Sequence, residues 1–468
     1  MSQNSSKSHT RVRIRLSELA ACIVCFLFIA FFSFKYLIRP AADSNSRALR
    51  NTIIYDAVKN YALEGDIVDR DGALIMGNAA EGIPAYAPAG KNRSYAYLLG
   101  YYTVSQNREN KYGLRGSLNE YLLFTLDKSN KGATVTLTTD NALQNYAFET
   151  ILNGQEGSVI VLDNKTGDVL CFTSKSNIDY DVNDMESFIG SDVEGAQFRR
   201  GTFENDPPGS TFKIVTAAAA IEKDIDENLP DDFFAYTDTG EYYAPDSDFV
   251  ITNYEHAVWG EVDLEKAMNN SVNCYFANLG VKIGAERMNK MAKNLMIGSD
   301  IKIPFLCTIH SRIDISNAEP VTIAQTAFGQ GNTEITPFHL ALIAQAMAND
   351  GKMMQPNIVK RIQSGNSLLY KSNPSVLKNC FRAKIAERLK PILHSTAVGY
   401  GIDEASCGMV YAKTGTAECA NDRIHTYIIG FTENASFCIS MNDSEHSSDL
   451  WPKAKQLVQF INGIYTRQ

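Results

Sequence analysis

A serine three residues before a lysine, Ser210-Thr-Phe-Lys213, followed along the chain by Ser271-Val-Asn273 and then Lys413-Thr-Gly-Thr416, supplies the groups needed for acyl transfer through a serine hydroxyl. An alcohol is a weak nucleophile near neutral pH and needs a base within hydrogen-bond reach. Residues three apart on a helix share a face, so Lys213 projects beside the Ser210 hydroxyl. A lysine can take a proton only if its amine is neutral for part of the time. Burial favours that state, and a second cation such as Lys413 pushes the same way while offering an anchor for a substrate carboxylate. The free backbone N–H groups at a helix start favour the negative charge that develops during acyl transfer. Ser210 is the candidate nucleophile and Lys213 its candidate base.

No one of these motifs suffices. Ser-x-x-Lys recurs at Ser375 to Lys378, and Ser-x-Asn recurs at Ser117 to Asn119, Ser364 to Asn366 and Ser440 to Asn442. Order and setting separate them. Ser210 follows Pro207-Pro208-Gly209 and precedes the alanine-rich run Ile214 to Ile221, which predicts the first turn of a buried helix spanning Ser210 to Glu222. Further helices are expected at Asn141 to Leu152, Asp263 to Leu279, Pro337 to Asn349 and Pro452 to Tyr465. Strands are expected at Thr134 to Thr138, Met409 to Thr416, His425 to Phe431 and Phe437 to Met441, with a hairpin of Ser158 to Leu162 and Asp168 to Ser174 turning at Asn164-Lys-Thr-Gly167. Strands at both ends with helices between imply an α+β catalytic domain built on one antiparallel sheet whose early and late strands pair, bringing Ser210 and Lys413 to a common cleft.

With these residues in view, the chain resembles the class B penicillin-binding proteins, the monofunctional peptidoglycan transpeptidases. The likeness extends to Glu64-Gly-Asp-Ile-Val-Asp-Arg-Asp-Gly72, Leu137-Thr-Thr-Asp-Asn-Ala-Leu-Gln144, Val161-Leu-Asp-Asn-Lys-Thr-Gly167, Phe328-Gly-Gln-Gly331, Thr336-Pro337 and Ala348-Asn-Asp-Gly351. It implies the transpeptidase fold shared with serine β-lactamases, an antiparallel sheet flanked by helices. It also implies that Ser210 is acylated by a D-alanyl-D-alanine stem peptide and that an amine of a neighbouring strand then takes the acyl group, with β-lactams as covalent inhibitors. Lys213 would be general base, Ser271 a proton relay, and Asn273 a partner of the substrate amide and of Lys213. Lys413 and Thr414 would orient the donor's carboxylate, with Gly415 and Thr416 also binding the donor, Gly415 lacking a side chain because substrate lies against that strand. The backbone N–H groups of Ser210 and Thr416 would form the oxyanion hole. No cofactor or metal is implied. Because the chain carries no polymerase of its own, a polytopic glycosyltransferase of the shape-and-division type is the implied partner. A membrane-tethered β-lactam sensor or β-lactamase, and a catalytically idle scaffold, are the alternatives.

Leu19 to Ile38 is apolar apart from Ser33 and Lys35, and twenty residues at about 1.5 Å each span roughly the 30 Å of a bilayer core. Lys7, Arg11, Arg13 and Arg15 precede it, so the positive-inside tendency predicts a cytoplasmic tail at 1–18, a transmembrane signal anchor at 19–38 and an extracytoplasmic remainder. Residues 39–130 read as a short non-catalytic pedestal and 131–468 as the transpeptidase domain. The four tyrosines between Tyr95 and Tyr102 read as core and rim packing, and the acidic run Asp179 to Glu194 as a solvated loop. A formal charge of −9 argues against a nucleic-acid partner. Nine cysteines, two of them in the apolar stretch, show neither a zinc spacing nor a disulfide framework. The seven histidines include no metal-like pair, His425 reads as a structural edge residue, and no Gly-x-Ser-x-Gly elbow is present.

Overall fold

The computed structural model describes residues 64–78, 84–86, 93–100, 102–105, 108–111, 113–123, 131–176, 200–419 and 423–466. Leu19 to Ile38 and the acidic run at 179–194 lie outside them. Among the described residues no helix is long and apolar enough to cross a membrane.

Five strands form the central sheet: β1 (Gly157–Asp163), β2 (Val169–Lys175), β3 (Tyr411–Glu418), β4 (Ile424–Phe431) and β5 (Ala435–Asn442), in the order β3-β4-β5-β1-β2 with every neighbour antiparallel. The early hairpin thus pairs with the late strands through β1 and β5. Alternate residues of β1 point to opposite faces: Ile160 and Leu162 join one hydrophobic cluster, Val159 and Val161 another. Both faces are buried, which is why these strands read as near-continuous apolar runs.

One face is covered by helix α1 (Lys213–Glu227), by α2 (Asn273–Ile283) beyond it, and by α3 (Pro337–Ala348). Ala217 to Ala220 are fully buried, their small side chains letting α1 pack closely. The other face is covered by Asn141–Leu152 and by α5 (Leu450–Thr466). Helix α4 (Ala383–Gly399) lies beside the edge strand β3.

Three sequence expectations are corrected. Thr134–Leu137 does not join the central sheet; it pairs in parallel with Ile67–Val68 and antiparallel with Val359–Ser364 in a six-stranded mixed sheet. A β-rich segment reveals its own extended form but not its partner, and the strand of 359–364 lies far away in sequence. That sheet crosses the boundary expected near residue 130. Ser210 sits in a 3₁₀ turn, Gly209–Phe212, that feeds α1, instead of in the α-helix itself. The helix expected at Asp263 to Leu279 is broken into Leu264–Asn269 and α2, because Ser271 between them takes a left-handed backbone with φ of 54°.

Candidate active site

Each motif arrives on a different element. The 3₁₀ turn has three residues per turn, so Ser210 and Lys213 lie one above the other along its axis. Lys213 then opens α1, aimed at the break before α2. At that break the left-handed Ser271, a conformation costing a non-glycine residue on the order of 1 kcal/mol or more, turns the chain so that Ser271 and Asn273 both face Lys213. Asn273 is anchored in turn by its Nδ2 donating to the Thr252 carbonyl at 3.1 Å. Lys413 to Thr416 occupy β3, the edge strand, whose outer side has no neighbouring strand among the described residues.

The side chains converge on one amine. Lys213 Nζ lies 2.9 Å from Ser210 Oγ, 2.9 Å from Ser271 Oγ, 2.7 Å from the Ser271 carbonyl and 2.8 Å from Asn273 Oδ1. Lys413 Nζ reaches the same Ser271 Oγ at 3.1 Å. Both lysines have no solvent exposure, and among the described residues neither has a carboxylate within ion-pair distance. Burial holds the Lys213 amine well below the ordinary lysine range, and the Lys413 charge pushes it further down. A neutral amine has two N–H bonds and a lone pair. With four oxygens around it, Lys213 can donate to the Asn273 and Ser271 oxygens and still receive the Ser210 proton.

Two glycines permit the close approach of turn and strand. A Cβ on Gly209, whose φ is 54°, would lie 2.3 Å from the Thr416 carbonyl oxygen, and one on Gly329 would lie 1.7 Å from that of Gly209. Gly415 belongs to the same packing. A Cβ there would meet the Pro208 carbonyl at 2.7 Å and the Thr211 methyl at 3.0 Å. The catalytic turn packed against the strand thus gives that glycine a structural reason to lack a side chain, beside the one expected from substrate.

Tyr400, just past α4, escaped the sequence reading. Its hydroxyl accepts from Lys413 Nζ at 3.3 Å, from the Thr414 backbone N–H at 3.3 Å and from Thr414 Oγ1 at 3.0 Å, while its ring stacks on Trp451 with centroids 4.8 Å apart. Thr414 is thus buried and committed to Tyr400, whereas the Thr416 side chain is exposed. Flanking glycines are the only mark on Tyr400 in the sequence, and they say nothing of a hydroxyl reaching the third motif. Cys274 is buried, its backbone N–H held by Asn253 Oδ1 at 3.0 Å. Cys407 ends the short helix Glu404–Cys407 and Cys419 directly follows β3; both are free thiols.

The family model for the penicillin binding protein transpeptidase domain matches residues 157–452, more than half of the chain. This chain belongs to the penicillin-binding protein transpeptidase family. The peptidoglycan D,D-transpeptidase PbpA of Mycolicibacterium smegmatis is 26% identical over 372 residues, 73% of this chain and 72% of that one. The peptidoglycan D,D-transpeptidase MrdA of Haemophilus influenzae is 28% identical over 251 residues, 50% of this chain but only 37% of its own. With these relatives the protein falls among the class B penicillin-binding proteins. The fold agrees with the D,D-transpeptidase domain from Eggerthella lenta, with a TM-score of 0.74 at 24% identity over 87% of this chain and 99% of that one. It agrees equally with penicillin-binding protein A of M. tuberculosis in its penicillin G acyl-enzyme complex, with a TM-score of 0.73 at 21% identity over 85% and 99%.

Proposed function

We propose that the protein is a serine D,D-transpeptidase that cross-links peptidoglycan stem peptides. The observation that carries this reading is the fully buried Lys213 amine 2.9 Å from Ser210 Oγ, held below the lysine range with no carboxylate at ion-pair distance among the described residues.

In the acylation step Ser210 Oγ bonds to the carbonyl carbon of the penultimate D-alanine while its proton passes to the Lys213 lone pair. The resulting oxyanion faces the backbone N–H groups of Ser210 and Thr416, at the contact Gly209 makes possible. As the C–N bond breaks, the departing D-alanine amine takes a proton relayed from Lys213 through Ser271, which both lysines touch. An acceptor amine then attacks the ester, gives up a proton by the same route, and releases Ser210. Asn273 holds Lys213 and the substrate amide. The stem peptide lies along β3 as an added strand beyond Thr414, whose backbone groups are already taken by Tyr400 and Lys413. Lys413 and the exposed Thr416 hydroxyl receive its carboxylate, since the Thr414 hydroxyl is already used by Tyr400.

Several wider features belong to the same proposal. Residues 19–38 anchor the chain in the cell membrane with 1–18 in the cytoplasm and the catalytic domain outside, 39–130 form the pedestal, and a polytopic glycosyltransferase supplies the strands to be joined. The apolar stretch and the basic residues before it support the membrane arrangement.

Labelling membranes carrying the full chain with a fluorescent penicillin tests the proposal. The expected result is a long-lived covalent adduct in the wild type and none in Ser210→Ala. An adduct that hydrolyses within seconds would make the protein a β-lactamase, and no adduct at all would make it a scaffold.

A further inference from the structure

Asp206, Cys419 and His425 come from separate segments and meet at the edge of the central sheet. Asp206 stands just before Pro207-Pro208-Gly209-Ser210 and forms an isolated bridge with Ile335. Cys419 directly follows β3, and His425 lies near the start of β4, paired with Ala417. One thiol sulfur, one carboxylate oxygen and one imidazole nitrogen from these residues all lie within 4.8 Å of one another. His425 is 3% exposed, and its Nδ1 is 3.0 Å from Asp206 Oδ2. Its Nε2 is also buried and has no hydrogen-bond partner among the described residues. Buried polar nitrogens are almost always satisfied, and an orphan costs about 1–3 kcal/mol. Asn442, which pairs with His425 across β4 and β5, likewise has a buried Oδ1 without a partner.

We propose that Asp206, Cys419 and His425 form a binding site for a zinc-class divalent cation. A thiolate, an imidazole and a carboxylate together make a donor set of intermediate softness, suited to zinc and poorly suited to magnesium or calcium, which take oxygen ligands. Zinc–ligand bonds of about 2.0–2.3 Å set tetrahedral donors roughly 3–4 Å apart, a small contraction of the observed cluster. Glu204, nearby, is engaged by Arg200 and Asn442, so solvent completes the fourth position. Binding converts the Cys419 thiol to thiolate, and its proton leaves to solvent.

The spacing of single residues hides this site because no two ligands form a short metal motif. Its consequence is local. The ion would tie the turn before Ser210 to the strand pair that carries Thr416, the two elements whose backbone N–H groups are assigned to the oxyanion hole. Cation binding itself does not depend on that assignment, so the two can fail separately.

The test uses the full chain, purified in detergent, reduced, stripped with a chelator and titrated with zinc chloride. One zinc per chain is expected, undiminished by excess magnesium. Cys419→Ser and His425→Gln should each weaken binding by more than the roughly 10–100-fold that loss of an outer-shell partner costs, whereas Cys307→Ser, at an exposed cysteine, should bind as wild type. Cobalt in place of zinc should give a thiolate charge-transfer band that Cys419→Ser lacks. Melting curves in chelator check that the variants remain folded, and Cys419→His, which restores a ligand, should recover binding if Cys419→Ser is unstable. A wild type that takes up no stoichiometric zinc, or uptake unaffected by both ligand substitutions, overturns the proposal.

Discussion

The two ends of α1 hold charge in opposite ways. At its start Lys213 is buried among neutral oxygens, with a second lysine near and no counter-charge among the described residues. At its end Asp224, Asp226 and Glu227 are partly exposed and paired with Arg388 at 2.6 Å, with Arg382 at 2.6 Å and Arg287 at 2.8 Å, and with Arg287 at 2.8 Å respectively. The paired end fastens the helix to the segments that carry the arginines, and water would solvate its charges if the pairs opened. The unpaired end has no such release. Burial and the second lysine hold its amine well below the ordinary lysine range, the direction a base requires. Between its lowered value and the ordinary lysine range, the unfolded chain binds a proton at Lys213 that the native state does not. Lys213 therefore subtracts stability as pH falls through that window.

The largest expected effect follows from removing the unpaired charge. Lys213→Met should slow acylation by fluorescent penicillin by about 10²–10⁴-fold, the usual share of a general base, measured as the rate of adduct formation. A near-normal rate would mean that another group takes the Ser210 proton, and the contrast between the two helix ends would lose its meaning.

Next is the role of the second lysine. Acylation should fall toward acid pH as Lys213 becomes protonated. In Lys413→Gln the nearby positive charge that disfavours protonation of Lys213 is gone, so the amine protonates sooner and the acid limb should move to higher pH. A rate–pH profile that drops in height without moving would show that Lys413 acts on substrate alone.

How much of this was legible in the sequence depended on distance along the chain. Ser210 with Lys213 and Ser271 with Asn273 are local patterns whose chemistry follows from helical spacing, and the hairpin at Asn164 to Gly167 is equally local. The 3₁₀ turn and the break at Ser271 carry no local mark: neither Thr211 nor Ser271 is a residue that signals an irregular backbone, and the left-handed Ser271 meets Lys213 from a remote segment. Thr134–Leu137 has strand character whichever sheet it joins. Tyr400, Gly329 and the meeting of Asp206 with His425 are contacts between remote segments, and no periodicity encodes them.

A smaller effect should mark the tyrosine that the sequence concealed. Tyr400→Phe keeps the ring on Trp451 and removes one hydroxyl shared by Lys413 and Thr414. A typical net hydrogen bond is worth about 0.5–1.5 kcal/mol, so penicillin labelling should weaken by roughly 2–10-fold, appearing in the apparent affinity if Tyr400 only positions the Lys413 amine. A loss as large as that of Lys213→Met would instead put the phenol in the proton path.

The smallest effect belongs to the paired end. In Arg287→Ala, Asp226 keeps Arg382, Glu222 keeps Lys290 and Glu227 keeps Lys223, so the melting temperature should fall by about 2 °C or less, and less still in high salt. The labelling rate should not change at all. The fifteen residues of α1 make a rod of roughly 22 Å, and an exposed charge that far from Ser210 is more than two screening lengths away at physiological ionic strength. If adduct formation nevertheless slows, the influence must travel through the rigid helix instead of through the field, and its two ends would be one mechanical unit.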